Sequence, residues 1–453
     1  MKRIAARSMA ILLLVVLLLG GLGFFLLEFL MYSDDWVMAQ GSPHIYKGDD
    51  IATGMVVDRE GVLLLDMAEK RTYGATEELR SSMIHWLGDR YGYISAPAVA
   101  SYTKEMTGFD MVSGLYSGGG KATLTISSKL QLVAQEAMAG KKGTVALMNY
   151  RTGEILCAVS TPNYDPDDVP NFAADDTGAY EGVYMNRFTQ SVYIPGSIFK
   201  IVTVAAALEE IEDIHEQTFQ CTGEVDYGKY DVTCEYKHGK LDFDSAMAQS
   251  CNCAFAQIVE QLGKEKLEEY VRKYAVTESV TFDGITTAKG NFDVTDATRL
   301  EVAWSGIGQH KDQINPCRYL TFVSAIANDG VEVNPYVMKT ITNGDRRTYQ
   351  ATTKKGNRIM SAEIASELQR MMRNNVTEKY GDDSFPEGLQ VCGKTGTAQV
   401  GGDKKATAMF AGFLQDEQNP IAFFAAVEDS GYGREICIPI LSKVLEAYLE
   451  MDE

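Results

Sequence analysis

The N-terminus carries the most uniform hydrophobic pattern in the chain. Lys2, Arg3 and Arg7 precede an uncharged stretch, residues 8–27, in which Leu, Val, Ile, Phe and Gly predominate. Twenty residues of α-helix rise about 30 Å, which is the thickness of the hydrocarbon core of a bilayer. Because the basic residues lie on the N-terminal side and Glu28 follows the stretch, the pattern predicts a single membrane span with its N-terminus in the cytoplasm.

A cleaved signal peptide is the alternative interpretation of this segment. Signal peptides have a shorter apolar region that ends in small residues at the cleavage site. Here the sequence Glu-Phe-Leu-Met-Tyr follows, at residues 28–32. We therefore predict an uncleaved membrane anchor, with everything after residue 35 outside the membrane.

Beyond the anchor, short patterned segments predict a small mixed module. Residues 54–65 have the pattern of a β-hairpin around a polar Asp-Arg-Glu-Gly turn, and residues 76–91 have a helical composition. A glycine-rich break at residues 117–120 ends the module. The sequence thus predicts three parts, which are a cytoplasmic stub with the anchor (1–35), a pedestal-like or dimerisation-like module (36–120) and a larger C-terminal domain (121–453).

The larger domain has strand patterns near both of its ends and helical patterns between them. This order predicts an α+β fold, in which an antiparallel sheet is flanked by helices and split by a helical subdomain. The predicted helices cover residues 127–139, 197–210, 253–262, 264–274, 318–328 and 438–449, and the predicted strands cover 144–149, 154–160, 389–400, 406–414 and 421–428.

Composition excludes several classes of protein. The 453 residues include 42 Lys plus Arg and 62 Asp plus Glu, which gives a formal net charge of −20. Because phosphate binding requires clustered cations, this acidity argues against nucleic acid as a partner. A hydrophobic content of 45% is that of a globular protein, not a disordered one. Eight cysteines without a CxxC pair are too few for a disulfide scaffold.

The sequence Pro-Gly-Ser-Ile-Phe-Lys at residues 195–200 is the most informative motif. Proline and glycine place Ser197 at or near the N-terminus of the predicted helix. Lys200, three residues later, falls on the same face of that helix. A buried lysine that is held neutral can take the proton of a serine hydroxyl, and this makes the serine a nucleophile.

Two further motifs make this signal specific. The S-x-x-K spacing alone is weak, because it also occurs at Ser101–Lys104 without a glycine turn or an apolar helix. Residues 250–252 (Ser-Cys-Asn) are the only S-x-N of the chain, and residues 394–396 (Lys-Thr-Gly) are the only K-[ST]-G. They supply a second hydroxyl for proton transfer, an amide for a substrate, and a cation for a carboxylate.

These three motifs, in this order, resemble those of the penicillin-binding protein family. Shorter matches accompany them at residues 58–61, 152–156, 163–166, 186–187 and 325–330. The match runs from about residue 55 to the C-terminus and resembles class B members, which are monofunctional peptidoglycan D,D-transpeptidases. The resemblance implies the serine penicillin-recognising transpeptidase fold, with a small N-terminal pedestal and one transmembrane helix.

The resemblance also implies roles for five catalytic residues. Ser197 would attack the carbonyl between the last two D-alanines of a stem peptide, and Lys200 would take the serine proton. Ser250 would relay a proton toward the leaving D-alanine with the assistance of Lys394. Asn252 would hydrogen-bond Lys200 and the substrate amide.

Substrate binding would fall to the third motif and the residue after it. Thr395 and Thr397 would bind the terminal carboxylate, and Gly396 would let the substrate backbone approach the strand. The backbone N–H groups of Ser197 and Thr397 would form the oxyanion hole, in which each donor contributes about 3 kcal/mol.

The resemblance further implies a substrate, an inhibitor class and a partner. The chain would crosslink stem peptides at the bacterial cell membrane, β-lactams would trap Ser197, and no cofactor is implied. The partner would be a polytopic glycosyltransferase of the shape-and-division type, contacted through the anchor and the pedestal. The alternatives are a membrane-anchored serine β-lactamase or DD-carboxypeptidase, in which water resolves the acyl-enzyme, and a non-catalytic β-lactam sensor or scaffold of wall synthesis.

One set of residues has an interpretation that is independent of the family. Cys221, Cys234, His238 and Cys251 fall between the first two motifs and include the ligand types of tetrahedral zinc sites. A metal there would brace the loop of the second motif. A Cys221–Cys234 disulfide, or free buried thiols with His238 at the surface, are the alternatives, and the sequence leaves all three open.

Overall fold

The structure, a computed structural model, describes residues 2–37, 46–47, 50–51, 54–67, 71–107, 119–402 and 404–451. Its first element is a 36-residue helix, α1 (Lys2–Val37). The segment Arg3–Tyr32 has a mean hydropathy of 3.0 in its most apolar window, and 0% of that window is buried in the molecule. By length and composition this helix could cross a membrane, as the anchor prediction requires.

Short strands and helices make up the N-terminal module. In chain order they are β1 (Tyr46–Lys47), β2 (Asp50–Ile51), β3 (Met55–Val57), β4 (Leu63–Asp66), β5 (Thr72–Tyr73), α2 (Glu77–Leu87), α3 (Pro97–Ala100) and α4 (Thr103–Thr107). The next strand, β6 (Lys121–Leu124), lies just beyond the predicted boundary at residue 120. The predicted hairpin is present as the antiparallel pair β3 and β4, and the Thr76 side chain caps α2. Residues 117 and 118 of the predicted glycine-rich break lie outside the described residues.

The larger domain follows the predicted order of strands, helices and strands. It begins with α5 (Ser128–Ala137), β7 (Gly143–Asn149) and β8 (Ile155–Thr161). A long insertion contains α6 (Arg187–Gln190), α7 (Lys200–Glu210), β9 (Thr218–Cys221), β10 (Glu224–Asp226), β11 (Asp231–Thr233), β12 (Gly239–Asp242), α8 (Phe243–Ala248), α9 (Asn252–Lys273), β13 (Thr281–Phe282), β14 (Ile285–Thr286), α10 (Arg299–Ile307), α11 (Pro316–Ala327), β15 (Val331–Val333), β16 (Met338–Asn343), β17 (Arg346–Gln350), β18 (Lys355–Arg358) and α12 (Ala362–Asn375). The domain ends with β19 (Val391–Ala398), β20 (Thr407–Leu414), β21 (Ile421–Val427) and α13 (Gly433–Leu449).

A five-stranded antiparallel sheet in the order β19-β20-β21-β7-β8 forms the centre of this domain. The sheet is buried on both faces. Val145 and Leu147 of β7 pack in the cluster that contains α5 and α13, whereas Ala146 and Met148 of the same strand pack in the cluster that contains α7 and α11. Every residue of β20 and β21 is buried, which explains why these strands are hydrophobic without alternation.

A second sheet joins the N-terminal module to the larger domain. Its strand order is β17-β16-β6-β3-β4-β5, so strands from both sides of the predicted boundary at residue 120 share one hydrogen-bonded sheet. The turn after β3 adds a second link, because the Asp58 carboxylate accepts from the backbone N–H of Val62 at 2.7 Å and from that of Ser128 at 3.0 Å.

Several helices differ from the sequence-based prediction. The helices α8, α10 and α12 were not predicted, although Ser361 caps α12 and Leu368, Met371 and Met372 form its buried stripe. The two predicted helices at 253–262 and 264–274 are both present within α9, where Gly263 separates them with a non-helical backbone at a φ of 74° and a ψ of 162°. The last helix begins at Gly433 rather than residue 438, and it contains a proline, which helix interiors disfavour.

Candidate active site

Ser197 lies in a 3₁₀ turn, Gly196–Phe199, that leads directly into α7. Gly196 has a φ of +54°, and a Cβ atom on it would lie 2.9 Å from the carbonyl oxygen of Thr397. The Gly196 N–H donates to the carbonyl of Gly308 at 2.7 Å. Glycine therefore lets this turn pack against strand β19. The serine lies at the start of a helical segment, as the sequence predicts.

Lys200 is fully buried, and its Nζ contacts the first two motifs together. This nitrogen lies 3.2 Å from Ser197 Oγ and 3.2 Å from Ser250 Oγ. It also donates to the Ser250 carbonyl at 2.7 Å and to Asn252 Oδ1 at 2.8 Å. The structure thus places the serine and the lysine of the first motif, and both polar residues of the second, within hydrogen-bond distance of one nitrogen.

The partners of Lys200 suit a neutral amine. A neutral amine has two N–H donors and one lone pair. The Ser250 carbonyl and Asn252 Oδ1 can only accept, so they use both donors. The lone pair is then left for a hydroxyl, and Ser197 can donate its proton to Nζ. Burial, reinforced by the positive charge of Lys394, lowers the pKa of Lys200 to about 7.

The second motif lies in the loop between α8 and α9, where Cys251 is the N-cap residue of α9. Ser250 has a φ of +54°, a left-handed conformation that costs about 1 kcal/mol or more for a residue other than glycine. The Asn252 side chain is held from its other end, because Nδ2 donates to the Thr233 carbonyl at 2.9 Å. The position of this strained loop therefore depends on the strands that precede it.

Lys394 reaches the Ser250 hydroxyl from the sheet. It is fully buried on β19, and its Nζ donates to Ser250 Oγ at 3.0 Å and to the Thr395 carbonyl at 3.1 Å. Burial, followed by the charge of Lys379, lowers the pKa of Lys394 to about 7. Among the described residues, neither Lys394 nor Lys200 has a carboxylate as a hydrogen-bond partner. Two ammonium groups that share one hydroxyl without a counterion disfavour each other, and for this reason the charge of Lys394 adds to the effect of burial on the pKa of Lys200.

The remaining residues of the third motif continue along β19. Thr395 and Thr397 share one face of the strand and are half-buried, so they border the cleft. A Cβ atom on Gly396 would lie 3.0 Å from the Pro195 carbonyl oxygen. The Tyr380 hydroxyl accepts from the Thr395 N–H at 3.0 Å and lies 3.0 Å from Thr395 Oγ1. The two threonine hydroxyls beside a lysine form a group that suits a carboxylate.

Sequence reasoning missed the roles of three residues that hold these elements together. Tyr380 orients the third motif, and Tyr319 donates its hydroxyl proton to the Ile198 carbonyl at 2.7 Å. Gly308 has a φ of +91°, and a Cβ atom on it would lie 2.1 Å from the Gly196 carbonyl oxygen. A glycine after an apolar helix was the only local signal for the third of these contacts.

The four candidate metal ligands also come together. The Sγ atoms of Cys221, Cys234 and Cys251 and a ring nitrogen of His238 all lie within 4.8 Å of one another. All eight cysteines, including Cys221 and Cys234, are free in the structure. The four residues adjoin the second motif, since Cys251 is its middle residue.

Comparison with known proteins identifies the family to which these motifs belong. The profile of the penicillin-binding protein transpeptidase domain matches residues 143–446, which is more than half of the chain. The chain belongs to this transpeptidase family. The matched segment runs from β7 to α13, and so it contains all three motifs and the five-stranded sheet of this penicillin-binding protein.

Two relatives support a class B assignment. The chain is 28% identical over 368 residues to stage V sporulation protein D of Bacillus subtilis, and the match covers 76% of this chain and 54% of that protein. It is 28% identical over 351 residues to the peptidoglycan D,D-transpeptidase PbpA of Mycolicibacterium smegmatis, with 71% of this chain and 70% of that protein covered. The chain thus spans about half the length of the sporulation protein. The sequence-based assignment to the class B penicillin-binding proteins is confirmed.

Solved structures confirm the predicted fold. Penicillin-binding protein A of Mycobacterium tuberculosis, in an acyl-enzyme complex with ceftriaxone, superposes with a TM-score of 0.76 at 22% identity and covers 88% of this chain and 98% of its own. The D,D-transpeptidase domain of a peptidoglycan glycosyltransferase from Eggerthella lenta gives a TM-score of 0.74 at 26% identity, with the same coverage of 88% and 98%.

The close approach at Gly308 gives the first testable prediction. We expect Gly308→Ala to slow acylation by a fluorescent penicillin at least about tenfold, because the new Cβ must displace the turn that carries Ser197. Gly228→Ala is the matched control, since Gly228 has a φ of +97° but nothing within 4 Å of its Cβ position. Time-course labelling gives the rates. A Gly308→Ala variant that is acylated as fast as Gly228→Ala contradicts the prediction.

The pH dependence of acylation gives a second prediction. The pKa values of Lys200 and Lys394 are both lowered to about 7, and a protonated Nζ cannot accept the serine proton. Acylation should therefore slow about tenfold for each pH unit below 7 and level off above it. Negative charge on the sulfurs of Cys234, Cys251 and Cys253 raises the pKa of Lys200 and so limits the decrease that burial causes.

The second-order rate constant of acylation, measured between about pH 5.5 and pH 8.5, tests this profile. A rate constant that stays level from about pH 6 to pH 7 would show that no lysine proton controls acylation.

Proposed function

We propose that this chain is a peptidoglycan D,D-transpeptidase that crosslinks stem peptides through a serine acyl-enzyme and is acylated by β-lactams. The observation that carries the proposal is the convergence of the three motifs on two amines. Ser197 Oγ and Ser250 Oγ each lie 3.2 Å from the Lys200 Nζ, and the Lys394 Nζ lies 3.0 Å from Ser250 Oγ. Relatives that are named peptidoglycan D,D-transpeptidases support the proposal.

Acylation begins with proton transfer from Ser197 to the neutral amine of Lys200. The serine Oγ attacks the carbonyl carbon between the last two D-alanines, an ester bond forms, and the amide C–N bond breaks. The proton passes from Lys200 through the Ser250 hydroxyl to the departing amine, which leaves as D-alanine. Lys394 holds this hydroxyl in place through its 3.0 Å hydrogen bond.

The second half of the reaction reverses these proton movements. An amine from a neighbouring stem peptide attacks the ester carbonyl, and the serine recovers its proton as the amide crosslink forms.

Binding of the peptide that acylates Ser197 falls to the third motif and the residue after it. Thr395 and Thr397 bind the terminal carboxylate of this D-Ala-D-Ala peptide, and Gly396 leaves room for its backbone. The backbone N–H groups of Ser197 and Thr397 stabilise the oxyanion, at about 3 kcal/mol for each donor.

Covalent labelling with a fluorescent penicillin tests this function. We expect Ser197→Ala to abolish the label, because the Ser197 hydroxyl is the proposed nucleophile and lies 3.2 Å from the Lys200 amine that takes its proton. Ser101→Ala, which alters the unaccompanied S-x-x-K, should leave labelling unchanged. Labelled wild-type protein should keep its adduct for hours, whereas a β-lactamase would release it within seconds to minutes. A wild-type chain that takes no label would favour a scaffold instead.

We also propose the division into an anchor (1–35), a pedestal (36–120) and a transpeptidase domain (121–453), with the N-terminus in the cytoplasm. Lys2, Arg3 and Arg7 on the N-terminal flank of α1 support this orientation. A polytopic glycosyltransferase is the proposed partner. The apolar side chains of α1 are exposed along its length, so they are available for packing against other helices in the membrane.

Exchange of the anchor tests both points. Residues 1–37 are replaced by an unrelated single-span helix with the same basic flank. We expect the exchanged protein to retain penicillin labelling and to be cut by protease added outside intact cells, but to lose co-purification with the polytopic glycosyltransferase of its host, because helix packing in lipid depends on side-chain shape. Protection from the protease would refute the orientation, and undiminished co-purification would refute contact through the anchor.

A further inference from the structure

Four side chains with metal-binding chemistry lie beside the second motif, and the proposed reaction uses none of them. Cys221 ends β9, Cys234 follows β11, His238 precedes β12, and Cys251 caps α9. Cys221 and Cys251 are buried, and Cys234 and His238 are half-buried. Segments that are far apart in the sequence thus bring three thiols and one imidazole to a single point.

The distances within this group are those of a tetrahedral zinc site. Zn–S bonds of about 2.3 Å and Zn–N bonds of about 2.0–2.1 Å, at tetrahedral angles, place two sulfurs about 3.8 Å apart and a sulfur and a nitrogen about 3.6 Å apart. His238 Nδ1 lies 3.5 Å from the Sγ of Cys221 and 3.5 Å from that of Cys234. The Sγ atoms of Cys234 and Cys251 lie 3.9 Å apart.

The donor set also selects the kind of metal and its role. Three thiolates and one imidazole suit zinc and do not suit the hard cations calcium and magnesium. Since the protein would fill all four positions, the site is of the closed, structural type and leaves no position for a catalytic water. His215, Asp244 and Glu367 form a second cluster of possible metal ligands. Its two carboxylates are already neutralised by Arg370, which pairs with Asp244 at 2.8 Å and with Glu367 at 2.5 Å, so this cluster does not need a cation.

We propose that Cys221, Cys234, His238 and Cys251 bind one zinc ion that fixes the loop of the second motif. Cys251 stands between Ser250 and Asn252, so a metal–sulfur bond at its side chain would restrain both neighbours. Such a restraint has a physical purpose, because Ser250 is held at a φ of +54°. Asn252 is also tied to the carbonyl of Thr233, the residue before Cys234. Cys251 and Cys234 are the neighbours of these two residues, so a zinc ion bound to both thiolates would hold the two segments together at this contact.

Metal content tests the site independently of any activity. The full chain is purified in detergent from cells supplied with zinc chloride, and zinc and iron are measured by inductively coupled plasma mass spectrometry. We expect about one zinc ion and no iron per chain. His238→Ala should lower the zinc content at least about tenfold, and His238→Cys should restore it, because a thiolate can replace the imidazole. Wild-type protein without zinc, or with iron in its place, would overturn the proposal.

Cys253→Ala is the matched control for the ligand set. The Cys253 thiol is buried beside this cluster, but it is not one of the four ligands. This variant should keep its zinc, and Cys251→Ala should lose it. Loss of zinc from Cys253→Ala, or its retention by both His238→Ala and Cys251→Ala, would show that the ligands are not these four residues.

The effect on the active site rests on the proposed function. We expect His238→Ala to slow penicillin acylation at least about tenfold and His238→Cys to recover most of the rate. Ser197→Ala separates the two proposals, because it should lose acylation and keep its zinc. A wild-type chain that binds zinc but takes no penicillin would overturn the proposed function alone. Undiminished acylation by zinc-free His238→Ala protein would overturn the restraint of the loop.

Discussion

The burial of two lysine amines without an acidic partner is the constraint on which the rest of the site depends. Transfer of an ammonium group from water to a protein interior costs several kcal/mol unless an opposite charge accompanies it. Lys200 and Lys394 are both fully buried, and their acceptors are carbonyl, amide and hydroxyl oxygens. The lowest-cost solution is loss of a proton, and a neutral amine next to a hydroxyl is a base. Desolvation thus produces the reactivity that the chemistry needs.

This arrangement requires surroundings that do not relax. Water that reached the amines would restore their charge. Two of the three motifs are carried by rigid elements, since α7 packs in the main core and β19 belongs to the central sheet. The second motif lies on a loop, with a left-handed residue at Ser250. Its side chains therefore depend on local ties, of which the Asn252 bond to Thr233 and the thiol cluster around Cys251 are two.

The sequence predicted what local spacing determines. The Ser-x-x-Lys spacing put both side chains on one helical face, and the strands of the central sheet were predicted from their local patterns. Contacts between distant segments had no such signal. Nothing near Tyr380 indicates that its hydroxyl orients Thr395, and only the fold shows that Gly308 must lie against Gly196. The four zinc-type ligands could be named from composition, but their common position depends on how β9 to β12 fold over the start of α9.

The place of the third motif in the sheet bears on the kind of substrate. β19 lies at the edge of the sheet and, in the part of the chain that the structure describes, β20 is its one strand partner. The outer N–H and carbonyl of Thr395 already bond to the Tyr380 hydroxyl and the Lys394 amine, and the Gly393 carbonyl bonds to Asn375. Part of this edge is therefore left for an extended peptide, which can add to the sheet as a further strand. An exposed edge is normally a hazard for aggregation. Here the turn that carries Ser197 packs against the edge, and Gly196 and Gly396 allow a contact too close for larger residues. Under the proposed function, a peptide bound there as a strand would have its terminal carboxylate beside Lys394 and its scissile bond beside Ser197, which is the geometry that cleavage at the end of a peptide demands.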